Sequence, residues 1–163
     1  LYNFLIEKGF GSDKLTAIIS QDNIGQKTFL EIKSELKALD KILNTKNGIK
    51  FISNFKRIYN ITKKPEKLSN SLRIKEELFV FKEEIQLYNF LTKLSKSNKI
   101  SSELSYNNIQ LDYFNEFNSL IEKFFDNVLV NDKKTQIKNN RIKLLESIKL
   151  NFEMICKFQL LKI

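Results

Sequence analysis

Arg141, the last arginine of the 163-residue sequence, falls on an apolar stripe, four positions after Ile137 and three before Leu144. A guanidinium on such a stripe is at least partly withdrawn from water, and a buried charge needs a partner. A carboxylate serves best, because it accepts two guanidinium N–H groups side by side. Asp126 is the expected partner, and the pair would clamp the segment FFDNV (124–128) against the last helix. The other cations of this stretch, Lys133, Lys134 and Lys138, have two readings: an ordinary solvated face, or contacts to the phosphates of a polyanion. The same two readings hold for Lys50, Arg57, Lys63 and Lys64.

The formal net charge is +9, compatible with a polyanionic partner. Abundant lysine, asparagine and isoleucine with scarce alanine read as the codon bias of an AT-rich genome, so the total says less than its distribution. Residues 45–75 carry nine basic groups against one acidic, and residues 133–163 carry eight against two. Between them, residues 76–132 carry five against ten, and residues 1–44 are balanced at six each. Two basic blocks flanking an acidic one are not what a uniform lysine bias produces.

Four glycines and one proline are too few for a chain of strands and tight turns, and 42% hydrophobic residues suffice for a core. The expected fold is all-α, a bundle of about six or seven helices. Gly9 stops a first helical segment, and Ser12-Asp13 can cap a short helix through Ser20. Thr28 and Glu31 have capping-box spacing ahead of Phe29, Ile32, Leu36, Leu39 and Leu43. Asn47-Gly48 is expected to break this helix. The next, from about Ile49 to Lys63, buries Phe51, Ile52, Phe55, Ile58 and Tyr59 and turns Lys50, Asn54, Arg57 and Lys64 outward, with Asn60 beside them. Pro65 ends it, and residues 65–73 read as a polar loop. A helix carrying Leu78, Phe81, Ile85, Tyr88 and Leu91 follows, then a linker at 95–102. Tyr106, Ile109, Tyr113, Phe117, Leu120 and Phe124 mark another helix. VLVN (128–131) resembles a strand but is too short for a sheet. Asn131-Asp132 can cap a last helix burying Ile137, Leu144, Ile148, Phe152 and Ile155.

Catalytic signals are absent. The chain has no histidine and no phosphate-cradling glycine loop. Glu76-Glu77 and Glu83-Glu84 sit on the wet sides of their helix and read as solvated. Cys156, between Ile155 and Phe158, reads as a packed thiol and gives neither disulfide nor metal site. No apolar run approaches a membrane span, so a cytosolic setting is expected. The opening LYNFLIEKGF reads as the end of a helix, so the chain is expected to be a piece of a longer protein.

FFDNVLVNDKKTQIKNNRIKLLESI (124–148) resembles the C-terminal end of the bacterial glycyl-tRNA synthetase β subunit, whose FFDxVxV segment, polar loop and xRxNRLxLL it matches at Phe124, Phe125, Asp126, Val128, Val130, Lys138, Asn140, Arg141, Ile142, Leu144 and Leu145. Lys138 replaces the usual arginine. FKRIYNI (55–61) is similar to the family's NKRxxNI, matching at Lys56, Arg57, Asn60 and Ile61, with Phe55 departing from the asparagine. The closing FQLLKI is also similar. The resemblance implies a helical anticodon-binding domain of the type shared with arginyl-tRNA synthetases (DALR), one unit over 1–163 with an N-terminal helical part at 1–64 and a DALR-like part at 74–163. It implies tRNA as partner, with the remainder of the β subunit and a catalytic α subunit. No cofactor is expected in this segment, while ATP and Mg²⁺ are expected for the parent enzyme. Anticodon loops are single-stranded, so basic groups would position the loop while asparagines and one aromatic read it. The expected tRNA-facing residues are Lys50, Lys56, Arg57, Asn60, Lys63, Lys64, Phe125, Asn127, Lys133, Lys134, Lys138, Asn139, Asn140 and Arg141. Phe125 has packing as its other reading, the asparagines capping, and Arg141 the clamp with Asp126. The same fold in another synthetase, such as an arginyl enzyme, is one rival reading, and a helical protein-binding scaffold is the rival from a different class.

Overall fold

The computed structural model describes residues 2–20, 25, 27–63, 73–100 and 111–162. Among these, seven α-helices run in order: α1 (Tyr2–Glu7), α2 (Ser12–Ile19), α3 (Phe29–Leu43), α4 (Lys46–Thr62), α5 (Lys82–Ile100), α6 (Leu111–Asn127) and α7 (Thr135–Glu153). Short 3-10 turns occupy Glu76–Leu78 and Phe158–Leu160. No strand occurs among the described residues, and VLVN is loop. The all-α expectation holds.

Local chemistry sets several boundaries. Thr28 accepts from the Glu31 N–H, while the Glu31 carboxylate accepts from the Thr28 N–H at 2.6 Å, which closes the expected capping box. Gly9 takes φ +88°, the left-handed conformation that ends the α1 segment at low cost to glycine alone. Gly48 does not break a helix. The break comes earlier, where Thr45 caps α4 by accepting from the Gly48 N–H at 2.9 Å. Gly48 is glycine because α4 starts against the end of α3: a Cβ there would lie 1.9 Å from the Ile42 carbonyl oxygen. At α2, Gly11 holds the cap position, and Ser12 and Asp13 already belong to the first turn.

α4 packs on α3, α6 and α7, and α5 on α6 and α7. Phe51 of α4 sits fully buried at the centre, with ring centroids of Phe114, Phe117, Phe152 and Phe158 at 4.2 to 5.3 Å, mostly edge-to-face. Phe55, Phe90 and Phe124 extend this core, and Cys156 is buried within it. The last residues return to the first helices: the Lys157 N–H donates to Ala17 O and the Lys162 N–H to Asp13 Oδ2.

α5 departs from its expected phase. The residues turned inward are Glu83, Glu84, Leu87, Phe90, Leu91 and Leu94, whereas Phe81 and Ile85 are exposed. The helix also continues through the expected linker as far as Ile100. Glu76 and Glu77 are exposed as expected, but Glu83 and Glu84 are buried. Tyr106, Ile109 and the 65–72 loop lie outside the described residues.

Candidate nucleic-acid interface

Helix directions decide what meets at each end of the bundle. Along α4 and α6 the contacts advance together: Asn118 Nδ2 donates to Asn47 O at 2.9 Å, Lys50 pairs with Glu122 at 2.9 Å, and Arg57 lies against Phe125. The two helices therefore run in the same sense, and their C-terminal ends meet. α7 turns back after α6, so its first turns share that end. α5 starts there as well, since Arg141 reaches Glu84 and Asn127 Nδ2 makes a long contact of 3.4 Å to Glu83. One end of the bundle thus gathers the end of α4, the start of α5, the end of α6, the 128–134 loop and the start of α7. Parts of both basic blocks are brought together there.

Arg141 lies at the base of this end and is 1% exposed. Its partner is not Asp126. Nε donates to Glu84 Oε1 at 2.9 Å, and Nη1 donates to Leu129 O at 2.8 Å and to Asp132 Oδ2 at 2.9 Å. Asp126 is exposed and lines a polar cleft between α4 and α6 with Asn47, Lys50, Asn118 and Glu122. It faces away because α6 is still helical at Asp126, and Phe124 and Val128 take the inward direction. Arg141 Nη2 has no hydrogen-bond acceptor among the described residues; the Phe81 ring lies 5.6 Å from Cζ.

Glu84 is the residue that sequence reasoning missed. Its Oε2 accepts from the N–H groups of Val80 and Phe81, both at 2.8 Å, so one carboxylate closes the start of α5 and neutralises Arg141. A signal was present: Glu84, Leu87, Leu91 and Leu94 are spaced 3, 4, 3, which places the acid on the inner face. Asp132 does a parallel job on the loop. Its Oδ1 accepts from the Lys134 N–H at 2.8 Å ahead of α7, while Asn131 is exposed. That backbone N–H, followed by Arg141, holds the Asp132 carboxyl below its ordinary value.

The other expected residues separate into two groups. Asn140 is buried and spends both ends of its amide on the Lys75 backbone, at 2.8 and 2.9 Å, which docks the 3-10 turn on α7. Lys56 donates to Leu161 O at 2.6 Å and anchors the C-terminal segment, and Lys50 is paired with Glu122 on the flank of α4. These polar groups, like those of Arg141, serve internal contacts. Arg57, Asn60, Lys63, Asn127, Lys133 and Lys134 are exposed, and Phe125, Lys138 and Asn139 are half-buried. All nine lie at the shared end. Lys64 lies outside the described residues. Arg57 holds its guanidinium carbon 3.8 Å above the Phe125 ring centroid.

Among the described residues no cluster of three metal-ligating side chains occurs, and no helix is long and apolar enough to cross a membrane.

Comparison with known proteins adds a family. Residues 52–158 match the family described as DALR anticodon binding domain. A glycine–tRNA ligase beta subunit of Thermodesulfovibrio yellowstonii is 33% identical over 120 residues, 72% of this chain and 17% of its own length. The protein of that name in Sulfurihydrogenibium sp. is 30% identical over 159 residues, 97% of this chain and 22% of its own. The one in Buchnera aphidicola is 28% identical over 163 residues, 99% of this chain and 23% of its own. The chain spans about a fifth of the length of these curated relatives.

Proposed function

Because the chain belongs to the DALR anticodon binding domain family, we propose that it is the part of a glycine–tRNA ligase β subunit that recognises the anticodon region of tRNA. The observation that carries this reading is the convergence of the two basic blocks. Arg57, Asn60 and Lys63 at the end of α4 share one end of the bundle with Lys133, Lys134 and Lys138 around the start of α7.

Lysines at this end engage loop phosphates. Glu84, Asp132 and Arg141 hold the 128–134 loop that presents them. Asn60, Asn127 and Asn139 offer amides to base edges. Glycine activation, with ATP and Mg²⁺, belongs to a catalytic α subunit, and the remainder of the β subunit is the other partner. The setting is the cytoplasm. All 163 residues act as one unit, supported by a core that runs from Leu5 to Leu161.

The test is a titration of the chain with three RNAs at two salt concentrations: glycine-accepting tRNA, the same tRNA with an altered anticodon, and arginine-accepting tRNA. The proposal expects tightest binding to the first, loss on changing the anticodon, and a steep fall with salt. Preference for the arginine acceptor assigns the chain to another synthetase of the same fold. Weak, indifferent binding identifies a protein-binding scaffold and overturns the reading.

A further inference from the structure

We propose that the outer face of the Arg57 guanidinium is a stacking seat for one unpaired nucleobase, with the Phe125 ring as its backing. This rests on the anticodon-binding reading above and names the residue that would take a base. Sequence reasoning offered Phe125 itself as the stacking surface. In the structure, the ring face beneath Arg57 is already covered, at 3.8 Å. Phe125 is half-buried and leans edge-on against Phe124, 5.6 Å between centroids, so its ring is held by the core and cannot swing out to meet a base. What it presents outward is the arginine lying on it.

Arg57 is suited to that role. It is exposed, and no carboxylate or carbonyl among the described residues accepts from it. The nearby acid Glu122, one turn before Phe125, is paired with Lys50. The ring alone therefore orients the guanidinium. A guanidinium over a ring is a planar cation whose second face is open, and nucleobases stack on such planes. Because Phe125 fixes the plane beforehand, less side-chain freedom is lost on binding. Asn60 follows three residues on along α4, which places an amide beside the seat.

The test uses the whole chain and an anticodon stem-loop RNA carrying 2-aminopurine at successive loop positions. Wild type should quench the fluorescence strongly at one position. Arg57→Lys keeps the charge and loses the plane; Phe125→Leu keeps apolar volume and loses the backing. Each should abolish that quench and weaken binding about tenfold. The Arg57→Lys variant should keep the salt slope of wild type. Lys63→Ala, a charge-only control, should make the slope shallower and leave the quench intact. Wild-type binding and quenching in Arg57→Lys would overturn the stacking seat while leaving anticodon binding in place. If wild type binds no stem-loop, both readings fall.

Discussion

Glu84→Ala separates the observed partner of Arg141 from the one its sequence neighbourhood suggests. Glu84 is fully buried, and its carboxylate meets Arg141 Nε and two backbone N–H groups. Removing one partner of a buried ion pair costs about 3–5 kcal/mol. Losing a capping acceptor at the start of α5 adds about 1 kcal/mol. Together these approach the whole stability of a typical domain, about 5–15 kcal/mol. With a urea slope of about 2 kcal/mol/M, the unfolding midpoint should fall by about 2–3 M. Asp126→Ala should leave it in place, because Asp126 is exposed and makes no hydrogen bond or ion pair among the described residues. The pair Glu84→Leu with Arg141→Met should recover much of the loss, since well-packed apolar substitutes for a buried pair are often neutral. Circular dichroism with urea titration measures all three. A larger loss for Asp126→Ala than for Glu84→Ala, or a Glu84→Ala shift below about 0.5 M, would refute the assignment.

Gly48→Ala should destabilise the chain by about 1–3 kcal/mol or more, read from the same urea curves, because a Cβ there collides with the Ile42 carbonyl and both groups are backbone-held. The Asp132 carboxyl is held below its ordinary 3.8 by the Lys134 N–H and then by Arg141, so its contribution is present above that value and is lost as pH falls through the lowered one. Asp132→Asn should flatten that part of the acid limb in a stability–pH profile, and an unchanged profile would refute the contribution. Lys133→Ala with Lys134→Ala should reduce the slope of log affinity for stem-loop RNA against log salt by about 0.7 for each phosphate that a lysine no longer neutralises. An unchanged slope would remove these lysines from the interface.

What was legible in the sequence follows the range of the interactions. The Thr28–Glu31 box is a four-residue device, and its geometry is implied by its spacing. The apolar faces of α3, α4 and α6 were readable because single strong stripes mark them. α5 offered two stripes: Phe81, Ile85 and Tyr88 compete with Leu87, Leu91 and Leu94, and the first wins on apolar character until Glu84 is counted as an inward residue. That step depends on Arg141, 57 positions away. The need of Arg141 for a carboxylate could be deduced from its stripe; the identity of the carboxylate could not, because pairing is set by how α5 lies on α7. The same limit applies to Asn140, whose amide is consumed by the backbone of Lys75 across 65 positions. At the candidate interface the residue types were readable in the two basic blocks, but neither composition nor spacing revealed that Arg57 lies on top of Phe125.

The closing segment gives the fold a temporal order. Phe152 and Phe158 supply two of the rings around Phe51, and the peptides of Lys157 and Lys162 bond to α2, laid down more than a hundred residues earlier. On a ribosome, α2 to α4 must wait with their central ring half-surrounded until the final stretch emerges. Such distant closures slow folding and leave apolar surface open to other chains in the meantime. Clipping the chain before Phe152 would make that waiting state permanent.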